Sequence, residues 1–257
     1  MNTNRSTGQV RSPRISIITV VYNGASTLEQ TILSVLKQTY SRIEYIIIDG
    51  GSKDGTVDII KKYQDRIAYW VSEPDEGIYD AMNKGIRHAS GDWIYFLGAD
   101  DILYNILHCM TTAFVNDSSI YYGNVQLASS AKLYNGKFNI YKLSTANLCH
   151  QAVFYPAKVF QLYKYDLRYP VYADYYLNLQ CWADRRLKFQ YLPFTVAAFC
   201  DNGISAHPDK NKDWRFERDK TSLIRKNLSF CALVYATCVK FAVQLLHIIK
   251  GKSRNLS

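Results

Sequence analysis

The most restrictive feature of this chain is an order of events repeated through its first hundred residues: a β-branched apolar run, a turn carrying Gly or Asp, then apolar residues at helical spacing. Residues 15–21 (ISIITVV) have the composition of a strand covered on both faces in a parallel sheet. Leu28, Ile32, Val35 and Leu36 then recur at helical spacing, preceded by Ser26 and Glu29 in the arrangement of a capping box. A second strand, 44–48, stops at Asp49-Gly50-Gly51, and a short helix follows through Val57, Ile59, Ile60 and Tyr63. Residues 67–71 read as a third strand, 78–89 as a third helix and 93–97 as a fourth strand that ends at Gly98-Ala99-Asp100-Asp101. This alternation predicts an α/β fold with an open, mostly parallel sheet. After Leu103 the alternation stops. Segments 120–123 and 132–141 read as shorter strands and loops, 175–183 as a helix, 189–192 and 195–199 as strands, and 202–220 as a polar, charged stretch.

The 257 residues are 48% hydrophobic and 14% aromatic, enough to bury a sizeable core and to exclude disorder as the main state. The six cysteines never fall at CxxC spacing, and the polar, basic start through Arg14 lacks the apolar stretch of a signal peptide. Reduced thiols and a cytoplasmic location are therefore expected, and a disulfide scaffold or zinc ribbon is not. The formal charge is +9, but from Lys210 onward 11 Lys and Arg stand against three Asp and Glu. The rest is nearly neutral, so no nucleic-acid-coating surface is implied.

Ligands of open α/β sheets bind beyond the carboxyl ends of the strands. The acids of this sequence gather there: Asp49 after the second strand, Glu73 and Asp75 after the third, Asp100 and Asp101 after the fourth. Any one alone reads equally as a helix cap or turn former. Together they repel unless a cation or donor groups fill the space between them. Asp100 and Asp101 offer the hard oxygens suited to Mg2+ or Mn2+. No GxGxxG follows the first strand, where the sequence reads Tyr22-Asn23-Gly24-Ala25-Ser26, and no GxxxxGK[ST] occurs, so neither a dinucleotide site nor a P-loop is present.

Residues 17–28 (IITVVYNGASTL), 44–56 (EYIIIDGGSKDGT), 72–86 (SEPDEGIYDAMNKGI) and 91–101 (GDWIYFLGADD) carry, in this order and spacing, a resemblance to the nucleotide-binding half of glycosyltransferase family 2 with its GT-A fold. The likeness continues more weakly through His150-Gln151, 173–176 and 203–205, and points to bacterial sugar transferases of exopolysaccharide, capsule or O-antigen assembly. It implies a domain over 13–222, divided at 104/105 into a nucleotide-binding and an acceptor half, after a flexible 1–12. It also implies that Thr19, Val21 and Tyr22 flank the donor base, that Asp49 accepts a hydrogen bond from uracil or ribose, that Asp54 and Asp80 line the nucleotide pocket, and that Asn83 and Lys84 face the diphosphate. Ala99-Asp100 corresponds to the family's DXD motif, with Asp100 and Asp101 as ligands of Mn2+ or Mg2+. Gly98 stands at the first acidic position, and Met82 stands where many members have Arg.

Displacing a nucleoside diphosphate from an anomeric carbon builds charge on the leaving phosphate, which a carboxylate-held metal stabilises. The acceptor hydroxyl loses its proton on the opposite face, which calls for a base there. The resemblance assigns that base to Asp174 and implies inversion by a single displacement; from the residues alone Asp174 reads as an N-cap. His150 and Gln151 match a recurrent pair at the acceptor half, where His150 serves either a ligand or the core. Ser205 lies in a loop resembling one that closes on the donor, and His207 beyond it reads either as a contact to metal or phosphate or as a solvated loop histidine. The partners implied are a nucleotide-sugar donor, a UDP-sugar above others, and a lipid-linked or glycan acceptor. A catalytically silent nucleotide-sugar-binding scaffold is the alternative, and a processive synthase is disfavoured because QxxRW is absent.

Residues 228–249 are apolar except for Ser229, Thr237, Lys240, Gln244 and His247, which share an arc of roughly 80° on a helix. Lys240 near the middle would cost roughly 2.5 to 3.5 kcal/mol in a bilayer, and Arg225, Lys226, Lys250, Lys252 and Arg254 flank the stretch. Residues 223–257 therefore read as a basic amphipathic helix lying on an anionic cytoplasmic leaflet through 225–254. Packing on its own domain, or in an oligomer, is the alternative.

Overall fold

A computed structural model describes residues 12–134, 136–200 and 213–254, with side chains of the last helix as far as Leu246. The elements run β1 (Ile15–Val21), α1 (Leu28–Leu36), β2 (Ile43–Asp49), α2 (Thr56–Lys62), β3 (Tyr69–Ser72), α3 (Ile78–His88), β4 (Trp93–Gly98), β5 (Ile102–Leu103), α4 (Leu107–Thr111), β6 (Ser119–Leu127), β7 (Leu133–Tyr134), α5 (Ile140–Thr145), β8 (Val153–Pro156), α6 (Val159–Leu162), α7 (Ala173–Ala183), β9 (Lys188–Phe199), α8 (Trp214–Asn227) and α9 (Phe230–Arg254). They form one sheet in the order β3-β2-β1-β4-β8-β6-β9-β5, with β7 paired to β6.

Strands β1 to β4 are parallel throughout, with Val21 level with Asp49 and Asp49 level with Ser72, so their carboxyl ends form a common rim. Strand β8 enters antiparallel between β4 and β6. The pleat sends alternate residues of each inner strand to opposite faces. Ile18, Val20, Ile46, Ile48, Ile94 and Phe96 pack with α3 and α7 on one side. On the other, Ile15, Ile17, Ile47, Tyr45 and Tyr95 pack with α1, α2 and α4. Burial of each such aliphatic side chain stabilises the fold by roughly 1.5–3 kcal/mol, and coverage of both faces explains why these strands read as unbroken apolar runs.

The two segments expected at 189–192 and 195–199 are one strand, β9, with a register shift against β6 near Asn124. The capping box is not made. Helix α1 starts from Thr27 without a side-chain cap, and Glu29 instead accepts hydrogen bonds from Lys62 and Tyr63 on α2. The boundary expected at 222/223 falls inside α8, which runs on to Asn227. The helix break comes at Leu228-Ser229, where the Ser229 hydroxyl accepts from the Ala232 amide. Ala232 at the start of α9 is buried, and Tyr235 makes an edge contact with Tyr141 of α5. Among the described residues no helix is long and apolar enough to cross a membrane. The expected flexible 1–12 falls outside the described residues except for Ser12, and Ser205 and His207 lie outside them too.

Candidate active site

The rim above β1 and β2 is built from two loops locked to each other. Asn23, in the left-handed region at φ 51°, donates its amide to the Ser52 hydroxyl and accepts from the Lys53 amide. The amide of Gly24 donates to the Thr56 hydroxyl and that of Ala25 to Asp54 Oδ2. Thr56 donates to the other oxygen of Asp54, and these bonds hold its carboxyl below the usual range. Asp54 thus fastens the loops, while Tyr22, 67% exposed, projects from them. Thr19 is buried inside β1, where its hydroxyl contacts the Tyr45 hydroxyl, and Val21 is also buried. Of the three residues expected to flank a base, only Tyr22 presents its side chain to solvent.

Asp49 is fully buried. Its carboxylate accepts from the Gly51 and Ser52 amides and from the hydroxyls of Ser52 and Ser72. Three of these donors lie on Oδ2 and one on Oδ1, and together they hold Asp49 beneath the turn that it shapes. The next loop brings a different carboxylate to the rim. A Cβ added to Gly50 would stand 2.4 Å from Asp75 Oδ2 and 3.4 Å from Tyr22 Cδ2. Asp75 Oδ1 accepts from the Gly77 amide at 2.8 Å.

The expected phosphate-facing groups are occupied elsewhere. Lys84 donates to the Pro74 carbonyl and pairs with Glu73 and, more distantly, Asp80, clamping the 73–77 loop onto α3. Asp80 also accepts from the Glu76 amide. The Asn83 amide group makes two bonds to the backbone of Tyr165, joining α3 to the second half of the chain.

At the end of β4, the neighbouring acids part company. Asp101 is fully buried, accepting from the Gly98 amide, from Gln151 Nε2 at 2.7 Å and from the Cys200 amide at 2.8 Å. Burial pushes its pKa up to about 6, against the pull of those donors. A Cβ at position 98 would stand 2.4 Å from Asp101 Oδ2, so the glycine in place of the first acid admits this inward carboxylate. Asp101 is therefore not placed as a metal ligand: its oxygens are spent inside. Asp100 is exposed beside Ala99 and makes no hydrogen bond or ion pair with another described residue. Among the described residues no three His, Cys, Asp or Glu gather as a protein cage. A single open carboxylate fits Mg2+ or Mn2+, which keep water and substrate phosphates as their other ligands.

From Asp101 a polar chain leads across the rim. Gln151 Oε1 accepts from the Cys149 thiol, which burial holds well above its usual pKa, and none of the six cysteines forms a disulfide. His150, between them, places Nδ1 3.4 Å from Asp174 Oδ2. Asp174 is 6% exposed and lies in the first turn of α7, but not at its N-cap, which is Tyr172. Its Oδ1 lies 2.9 Å from the Tyr79 hydroxyl and accepts from the Tyr175 amide. Behind it runs a hydrogen-bonded line: Tyr155 donates to Asn178, Asn178 to Asn147, and Asn147 to Asp174 Oδ2. Asn147 and Tyr79 are members of the site that the sequence pattern does not single out, and Asp75 is placed on the rim by the sequence without a role. Asp75 alone had a signal, as an acid after a strand.

The sequence pattern of Glycosyl transferase family 2 matches residues 16–166. The chain belongs to this family. A glycosyltransferase of PGL/p-HBAD biosynthesis from Mycobacterium tuberculosis is 35% identical over 201 residues, spanning 75% of this glycosyltransferase and 78% of that protein. An uncharacterized glycosyltransferase of the same species is 50% identical over 91 residues, 35% of each chain. Among solved structures, Staphylococcus aureus TarS in complex with UDP matches with a TM-score of 0.64 at 15% identity, over 83% of this chain and 65% of that one, just under two thirds. The mannosyltransferase PcManGT from Pyrobaculum calidifontis, in complex with GDP-Man and Mn2+, matches with the same TM-score and identity over 96% and 82%. At such identity the likeness shows the GT-A fold of this family 2 enzyme and nothing finer.

Proposed function

We propose that this glycosyltransferase moves a single sugar from a nucleotide-sugar donor, a UDP-sugar, to a lipid-linked or glycan acceptor in bacterial surface polysaccharide synthesis, with inversion at the anomeric carbon. The observation that carries the reading is the polar chain from Asp101 through Gln151 and His150 to Asp174. It sets an open acid, Asp100, at one end and a carboxylate with its own hydrogen-bonded support at the other. The base lies against Tyr22 and the diphosphate against Asp100, which would hold the divalent cation together with the donor's phosphates. Bound there, Mn2+ or Mg2+ supplies countercharge to the departing nucleoside diphosphate. Asp174 is the base of the acceptor side. Its Oδ2 is reached past His150, whose 3.4 Å contact is the longest of those around the carboxylate. As the acceptor oxygen bonds to the anomeric carbon, the bond to the donor phosphate breaks and the hydroxyl proton passes to Asp174.

Helix α9 fits a location at a membrane surface. Phe230, Val234, Phe241 and Leu245 are exposed and fall on one side of it at 100° per residue. Arg225, Lys226 and Lys240 supply attraction to anionic lipid, and Lys250, Lys252 and Arg254 follow in the sequence. The apolar side would lie in the headgroup region of the cytoplasmic leaflet, near a lipid-linked acceptor.

The test is nucleoside diphosphate release from a panel of nucleotide sugars, with Mn2+, with Mg2+ and with chelator, using wild type and Asp100→Ala. Metal-dependent release with one donor, lost in the variant, is expected. Saturable binding without release under any acceptor or lipid extract would overturn the transferase reading in favour of a silent scaffold.

A further inference from the structure

The proposed reaction ends with a proton on Asp174, yet the carboxylate has little room to meet the hydroxyl that loses it. Asp174 is 6% exposed, and each of its oxygens already faces two donors. Oδ1 has the Tyr79 hydroxyl and the Tyr175 amide, and Oδ2 has the Asn147 amide group and His150 Nδ1. A carboxylate offers about four lone-pair sites, two on each oxygen, so this one is evenly filled. The approach that remains is through the ring. We infer that His150 is a catalytic residue of this glycosyltransferase: its Nε2 takes the proton of the acceptor hydroxyl, and its Nδ1 hands a proton on to Asp174 Oδ2.

Three features support the relay. The first is polarity. An ionised carboxylate only accepts, so Asp174 selects the tautomer of His150 with its proton on Nδ1 and leaves the lone pair on Nε2. Nε2 makes no hydrogen bond with another described residue. The second is position. The His150 side chain is 17% exposed against 9% for that of Asp174, so the ring is the more open of the two to an acceptor. It begins a short helical turn, His150–Ala152, whose Gln151 is tied to Asp101 at the end of β4. The imidazole thus stands between the Asp100 side of the rim and the carboxylate on α7. The third is the gap itself. At 3.4 Å, Nδ1 is at the loose end of hydrogen-bond reach of Oδ2, a separation of the kind that tightens when substrate is bound. Tyr79, Tyr175 and Asn147 hold the carboxylate from its other sides, so closing the gap falls to the ring.

The step balances. The acceptor oxygen bonds to the anomeric carbon as the bond to the donor phosphate breaks, and the electron pair of that bond leaves on the phosphate. The hydroxyl proton goes to Nε2 and the Nδ1 proton to Oδ2. The ring ends neutral in its other tautomer, and the negative charge that Asp174 loses is the one that the nucleoside diphosphate gains.

The inference rests on the transfer reading, and kinetics separate the two. Nucleoside diphosphate release from the nucleotide sugar that wild type turns over is followed with bacterial lipid extract as the source of acceptor. The full chain is compared as wild type, His150→Ala, His150→Asn and Asp174→Asn, with and without free imidazole, and donor binding is measured by calorimetry. His150→Asn can place an amide N–H where Nδ1 stands, and so keep the bond to Asp174, but it has no second nitrogen to take a proton. Both His150 variants are expected to lower kcat about 10²–10⁴-fold, with donor affinity changed less than about twofold. Imidazole is expected to raise the rate of His150→Ala about tenfold or more and to leave Asp174→Asn unchanged. His150→Asn within about threefold of wild type, or His150→Ala that does not respond to imidazole, overturns the relay and leaves Asp174 as the direct base. A fall in donor affinity that matches the fall in kcat overturns it as well, by placing the ring on the donor. No release by wild type from any nucleotide sugar overturns the transfer reading and the relay with it.

Discussion

The two halves of the domain hold their side chains in place by different means. In the first half, strands β1, β2 and β4 are buried by apolar packing on both faces, with Ser16 bonded to Glu44 between β1 and β2, and in the loops Asp49, Asp54 and Asp101 bind backbone amides. In the second half the tyrosines do much of the joining. Tyr155 reaches Asn178, Tyr175 reaches the Leu143 carbonyl, the Phe138 amide reaches Tyr122, and Tyr79 of α3 crosses to Asp174 and Val171. Aliphatic packing is tolerant of small changes in shape, whereas a buried hydroxyl must find its partner or cost the fold. The contrast teaches that the scaffold side of the rim is generic, and that the acceptor side is individually fitted.

The comparison breaks most sharply at Asp174. Asp174→Asn is expected to lower kcat about 10²–10⁴-fold, the range of a general base, while donor affinity measured by calorimetry changes less than twofold. An equal loss of donor binding would place the residue in the scaffold instead. The next effect is on stability, at the adjacent acids that end β4. Asp100→Ala is expected to leave the melting temperature unchanged, whereas the buried Asp101 contributes a pH dependence of its own. Its native pKa of about 6 lies above the ordinary value of 3.8. The native state therefore holds the proton more tightly, and the stabilisation is complete below about pH 4 and lost as pH rises through about 6. The stability of wild type relative to Asp101→Asn should fall by about 3 kcal/mol over that window in urea titrations. Within the two cores, Tyr155→Phe strands the Asn178 carbonyl oxygen and is expected to cost about 1–3 kcal/mol, against about 0.5–1.5 kcal/mol for Ile47→Val, by chemical denaturation. The smallest effect belongs to Ser26→Ala, which is expected to change stability by less than about 0.5 kcal/mol, because α1 carries no side-chain cap.

The first half was legible in the sequence because its strands are covered on both faces by helices. The β-branched runs from Ile15, Glu44 and Trp93 follow directly from that coverage, and strand ends within a residue or two of the expected ones placed the acids on the rim. The second half was not legible to the same degree. Strand β8 has only four residues and α5 six, too few repeats of a period of 2 or 3.6 for a pattern to stand out. Within the rim, position along the chain located the acids but not their orientation. Asp100 and Asp101 are adjacent, and the amides of Gly98 and Cys200 and the side chain of Gln151 decide which one turns inward. The same holds for Asn83 and Lys84, whose donors look available in the sequence and are consumed by Tyr165 and by Pro74 and Glu73. Local strand signals report burial of backbone, whereas the partners of a polar side chain come from segments far along the chain.

The line from Tyr155 through Asn178 and Asn147 to Asp174 has a direction: each group donates to the next, and the last donates to the carboxylate. Aligned donors of this kind polarise one another. The charge of Asp174 is thereby written into the orientation of two amides and a phenol reaching back to β8. A proton that passes to Asp174 in the proposed reaction would neutralise that charge and remove the reason for the alignment, so an event at the rim would be felt as far back as β8.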